Sequence, residues 1–89
     1  MTAAAIAAGL AEVFRSVFGD PGLRPDPAWT PADLDGWDSL RHVALILATE
    51  ARFGIRLPAA APLGSVGDLQ AAVAAALRAA TGGDAPRQG

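Results

Sequence analysis

The chain has 89 residues, which suits one domain and leaves no room for two. It holds no cysteine and a single histidine, His42, which excludes disulfides, thiolate metal sites, a cysteine nucleophile and, within one chain, a multi-histidine metal centre. The formal charge of −2 argues against a nucleic-acid partner. No stretch reaches the roughly 18 consecutive apolar residues of a membrane span.

The first predicted element is a helix from Ala3 to Phe18. Ile6, Leu10, Val13, Phe14, Val17 and Phe18 recur at helical intervals and make one apolar stripe, with Glu12 and Arg15 on the other face. Thr2 is the expected N-cap and Gly19 the expected stop. The run Ala3–Leu10 has no basic residue before it and is broken by Gly9, so it reads poorly as a secretion signal. A cytoplasmic, monomeric protein is expected.

Asp20 to Asp38 carries Pro21, Pro25, Pro27 and Pro31 and no sustained period, and is predicted as a long loop. Loops of this length inside a compact domain are uncommon and often functional. Within it, Thr30-Pro31-Ala32-Asp33 has a cap residue, proline at the first helical position and a carboxylate at the third, and predicts one helical turn. Trp29 and Leu34 are expected to anchor the loop to the core.

A second helix is predicted from Ser39 to Phe53, capped by Asp38 and stopped by Gly54. It has two apolar faces. Leu45, Ile46, Thr49 and Phe53 form one; Leu40, Val43 and Leu47 form the other. A small domain rarely buries both, so the second face is a candidate for partner contact; the alternative is a helix sunk deeper into the bundle.

Ile55-Arg56-Leu57-Pro58 alternates in and out as an extended link, and residues 59–64 are expected to include a short irregular helix. The last helix begins near Val66, with Ser65 and Asp68 as a capping box and Val66, Leu69, Val73 and Leu77 as its stripe. The expected fold is all-α: a four-helix bundle of three major helices, one short helix and a long loop between the first and second helices. Residues 1–80 make the domain, and 81–89 a flexible polar tail.

The segment Gly36-Trp37-Asp38-Ser39-Leu40 opens a helix that ends in Glu50-Ala51-Arg52-Phe53-Gly54-Ile55. This resembles the acyl carrier proteins, whose hallmark is Asp-Ser-Leu at the start of the second helix, followed about ten residues later by an acidic residue and then Phe. The first helix, the loop, Leu57-Pro58 and Ser65-Val66-Gly67-Asp68-Leu69 also fall in the family's order.

The resemblance implies that a phosphopantetheinyl transferase attaches 4′-phosphopantetheine, taken from coenzyme A, to Ser39. Asp38 would sit beside that metal-assisted transfer as well as capping the helix. The protein would then be a non-catalytic carrier of acyl thioesters. A phosphodiester on Ser39 would lie in the favourable field of a helix N-terminus. Leu40, Arg41, Val43, Leu47 and Glu50 are the expected partner-binding residues, meeting an acyl- or aminoacyl-loading enzyme, an acyltransferase or a ketosynthase. His42 shares a helix face with Ser39, but no third residue is evident to orient it as a base. It is expected at the surface near the arm, and Trp37 is expected to pack the loop end against the bundle.

Well-known fatty-acid carriers have an acidic second helix. Here Ser39–Phe53 carries two arginines and one glutamate, a charge of +1, while Asp20–Asp38 carries five aspartates and one arginine, a charge of −4. The implied role is a discrete carrier in polyketide or related specialised biosynthesis, including antibiotic pathways. The alternatives are an aminoacyl or peptidyl carrier of a nonribosomal or hybrid pathway, and, from another class, a helical interaction module that is never modified. A hydrolase using Ser39 and His42 is a distant third.

Overall fold

The computed structural model describes residues 1–58 and 63–84, with side chains described through residue 80. It has three helices in the order α1 (Ala3–Phe18), α2 (Ser39–Phe53) and α3 (Val66–Asp84), with no strand among the described residues. None of these helices is long and apolar enough to cross a membrane.

Helices α1 and α2 begin and end, and α3 begins, where local chemistry requires. The Thr2 hydroxyl accepts the Ala5 N–H at 3.1 Å, satisfying an amide that has no partner within the helix. At the other end Gly19 takes φ 64°, which lets its own N–H and that of Asp20 donate to the carbonyls of Ser16 and Arg15. Asp38 caps α2 and Gly54, at φ 66°, stops it.

The Ser65 hydroxyl accepts the Asp68 N–H at 3.1 Å, and the Asp68 carboxylate returns to the Gly64 N–H at 3.1 Å. The reciprocal capping pair is therefore present, with its return bond displaced by one residue from the expected Ser65 N–H. Two further α3 amides are satisfied from the loop: Val66 N–H donates to the Trp29 carbonyl and Gly67 N–H to the Pro27 carbonyl, at 2.9 and 2.8 Å. A Cβ at position 67 would stand 3.0 Å from that Pro27 oxygen, a tight contact that glycine avoids.

The core collects Ile6, Leu10, Val13 and Phe14 from α1, Leu45 and Thr49 from α2, and Val66, Leu69 and Val73 from α3. Helix α1 packs against both other helices. Leu23 and Trp37 of the loop and Ile55 and Leu57 of the link complete the core, and Trp29 and Leu34 pack on its edge. Arg56 is exposed between Ile55 and Leu57, as alternation predicts.

Three expectations need revision or fall outside the described residues. Thr30–Asp33 forms a single hydrogen-bonded turn rather than a helical segment. Asp33 N–H donates to the Thr30 carbonyl at 2.9 Å, and the Asp33 carboxylate accepts the Thr30 N–H and hydroxyl. Its polar groups are thus satisfied without continuing the helix. Of the short helix expected in 59–64, residues 59–62 lie outside the described residues, while Leu63 and Gly64 are not helical. The expected tail began at Thr81, but α3 runs on to Asp84; an i→i+4 ladder that is already nucleated tolerates Gly82 and Gly83 at about 1 kcal/mol each. Residues 85–89 lie outside the described residues.

Candidate functional site

The approach to α2 is built by one turn. Trp37 N–H donates to the Leu34 carbonyl at 3.2 Å, with Gly36 at φ 86° in the third position, where a side chain would be strained. This turn sends the Trp37 ring inward. It is 6% exposed and meets Phe14 edge to face, with centroids 5.6 Å apart and planes at 85°. Phe14 in turn stacks on Phe18 at 5.8 Å. The next residue, Asp38, caps the helix by accepting the Arg41 N–H at 2.9 Å, while its carbonyl accepts the His42 N–H at 2.8 Å.

Ser39 is therefore the first residue of a helix whose entry angle is fixed by a buried tryptophan two positions earlier, and it is itself exposed. It lines an open cavity of about 330 Å³ with Pro31, Trp37, Asp38 and His42. The N–H groups of Ser39 and Leu40 have no partner within the helix, so the hydroxyl sits at its electropositive end.

His42 is more than the surface residue expected. It is half-buried, its ring lies nearly parallel to Trp37 at 20° and 6.1 Å, and its Nδ1 accepts the Trp37 Nε1–H at 3.1 Å. That bond uses the nitrogen directed at Trp37, and among the described residues no hydrogen bond joins His42 to Ser39. The pair is not assembled as nucleophile and base. Trp37 precedes the helix, so the contact follows no helical spacing. No regular sequence pattern signals it.

The five expected partner residues divide. Leu40, Val43 and Leu47 are 81%, 55% and 60% exposed and form one apolar stripe running down α2 from Ser39. Arg41 is exposed but turned back on the loop: its Nη1 donates to the Gly36 carbonyl at 3.1 Å and its guanidinium lies 5.5 Å from the Phe18 ring centroid. Glu50 is half-buried, and its carboxylate accepts the Leu57 N–H at 2.8 Å. Both charged residues are thus engaged within the chain, leaving the apolar stripe as the unengaged part of the set.

No family model matches the chain, and no curated protein matches it. Among solved structures, the solution structure of a holo acyl carrier protein from Geobacter metallireducens superposes with a TM-score of 0.78 at 29% identity, covering 93% of this chain and 95% of that one. The chain is related to the acyl carrier proteins. The carrier fold accounts for the arrangement around Ser39: three helices, an ordered loop, and a second helix that begins at an exposed serine beside its aspartate cap. In this carrier-fold chain the loop is tied down near both ends, by Leu23 and Trp37 in the core, and at its middle by the Pro27 and Trp29 carbonyls, which accept from α3.

Proposed function

We propose that this chain is a carrier protein that presents acyl intermediates on a 4′-phosphopantetheine arm joined to the Ser39 hydroxyl. The observation that carries the reading is the exposed Ser39 at the first position of α2, in a fold shared with a holo acyl carrier protein. The residues present fit the group. The hydroxyl is reachable, the helix terminus favours an attached anion, and the adjoining cavity gives the proximal arm room.

In the loading step, a transferase supplied with coenzyme A and Mg²⁺ would direct Ser39 Oγ at the phosphorus that carries the pantetheine. A P–O bond to Oγ forms, the pyrophosphate P–O bond breaks, and 3′,5′-adenosine bisphosphate leaves; the hydroxyl proton passes to the transferase. The bound arm supplies the thiol that this cysteine-free chain lacks, and acyl groups ride on it as thioesters. The carrier itself performs no chemistry on its cargo.

Partner enzymes (the transferase, an acyl-loading enzyme or acyltransferase, a ketosynthase) would dock on Leu40, Val43 and Leu47. Ala44 and Ala51 are exposed on the same helix and add no acidic charge. That composition supports a polyketide or related specialised pathway over general fatty-acid synthesis, with the protein acting as a cytoplasmic monomer.

The test is an intact mass. Wild type incubated with coenzyme A, Mg²⁺ and a broad-specificity phosphopantetheinyl transferase gains one phosphopantetheine, and Ser39→Ala gains nothing. A wild type left unmodified by several such transferases overturns the reading in favour of an unmodified interaction module.

A further inference from the structure

His42 and Ser39 line the same cavity, and Trp37 fixes which nitrogen of His42 can face it as a donor. The indole N–H is a donor only, so the His42 Nδ1 that receives it at 3.1 Å carries no hydrogen. A neutral imidazole has one N–H, which must then be on Nε2. Trp37 cannot easily turn away to release this constraint, because its ring is 6% exposed and wedged edge-on against Phe14. The ring stacking at 20° holds the plane of the imidazole as well.

Asp38 also lines the cavity, and its carboxylate, next in sequence to Ser39, would repel an anionic group there. One Asp38 oxygen is already committed to the Arg41 N–H. Arg41, the nearest cation in sequence, is held on Gly36 and Phe18. Among the described residues that line the cavity, the side-chain donor left to face a phosphodiester is His42.

From these contacts we infer that His42 is a positioning residue for the arm: held by Trp37 in the Nε2–H form, it donates to the phosphodiester on Ser39 and fixes the direction in which the arm leaves the helix. This rests on the carrier reading, since it needs the arm to be attached. It adds to that reading a chain of three residues, Phe14 to Trp37 to His42, that connects the core to the arm.

The experiment uses the full chain, converted to the holo form and checked by intact mass, then observed by phosphorus NMR and by long-range proton–nitrogen spectra of the imidazole. In wild type the hydrogen is expected on Nε2, with that N–H displaced between the apo and holo forms. His42→Ala is expected to shift the arm's phosphorus resonance. Trp37→Phe, which keeps an aromatic ring against Phe14 but removes the indole donor, is expected to release the tautomer and shift the phosphorus resonance in the same direction. A wild-type imidazole with its hydrogen on Nδ1 overturns the inference. So does a phosphorus resonance that is identical in all three holo proteins. If no mass is gained at all, the carrier reading itself falls and takes this inference with it, an outcome distinct from a modified protein whose phosphorus ignores His42.

Discussion

The carboxylate of Glu50, in the last turn of α2, accepts the Leu57 backbone N–H at 2.8 Å. This bond ties the Ile55–Pro58 link to the helix before it and holds Leu57 in the core. Glu50 also ends the face on which Leu40, Val43 and Leu47 lie, so its acidity invites a docking role that the fold has already used internally. Glu50→Ala is expected to cost about 1.5 kcal/mol, the low end of the range for a hydrogen bond to a charged group, because this one is only partly buried. Glu50→Gln, which keeps an oxygen acceptor, should recover part of that loss. Urea denaturation of both variants measures the difference.

Asp38 can be tested for its two roles separately. Asparagine caps a helix about as well as aspartate, whereas alanine loses about 1 kcal/mol. Asp38→Asn is therefore expected to hold the stability of wild type, and Asp38→Ala to fall by that amount. Slower arm transfer to Asp38→Asn at unchanged stability, followed by mass against time, would assign the carboxylate's charge to the transfer itself. Equal rates would leave Asp38 as a cap alone.

The apolar stripe should be separable from the fold. Leu40, Val43 and Leu47 are each more than half exposed, so Leu40→Glu and Leu47→Glu are expected to change stability by less than about 0.5 kcal/mol. Truncation of a central apolar anchor in an interface costs upwards of about 1 kcal/mol, a several-fold loss of affinity. The transferase KM for each variant reads this directly, and Arg41→Ala, already folded onto Phe18 and Gly36, is expected to affect it less.

Thr49 places a hydroxyl at a fully buried position, and its Oγ1 has no hydrogen-bond partner among the described residues. A buried polar group left unpaired costs roughly 1–3 kcal/mol. Thr49→Val keeps the shape and removes the hydroxyl, so it is expected to raise stability by about 1 kcal/mol. Thermal or urea unfolding of the apo protein measures this, and a destabilised variant would show that the hydroxyl has a partner in solution.

The sequence alone determined where α1 and α2 begin and end and where α3 begins. Thr2, Gly19, Asp38, Gly54, Ser65 and Asp68 act on groups within a few residues of themselves, so their effect is readable from neighbours in the chain. Ser39 was placed at the head of α2 for the same reason, and its two-faced helix was visible from period alone.

Only the tertiary structure decided which face was spare: α1 packs against α2, whose Leu45 and Thr49 are buried while Leu40, Val43 and Leu47 stay outside. It also decided the fates of the polar residues around the site. Arg41 went to Phe18 and Gly36, Glu50 to Leu57, and His42 to Trp37. Two loop carbonyls, from Pro27 and Trp29, became the acceptors for α3. These contacts depend on where turns and non-helical segments return in space, and no helical or strand period encodes that. Local hydrogen bonding set the position of the serine, and long-range packing set the surroundings in which it works.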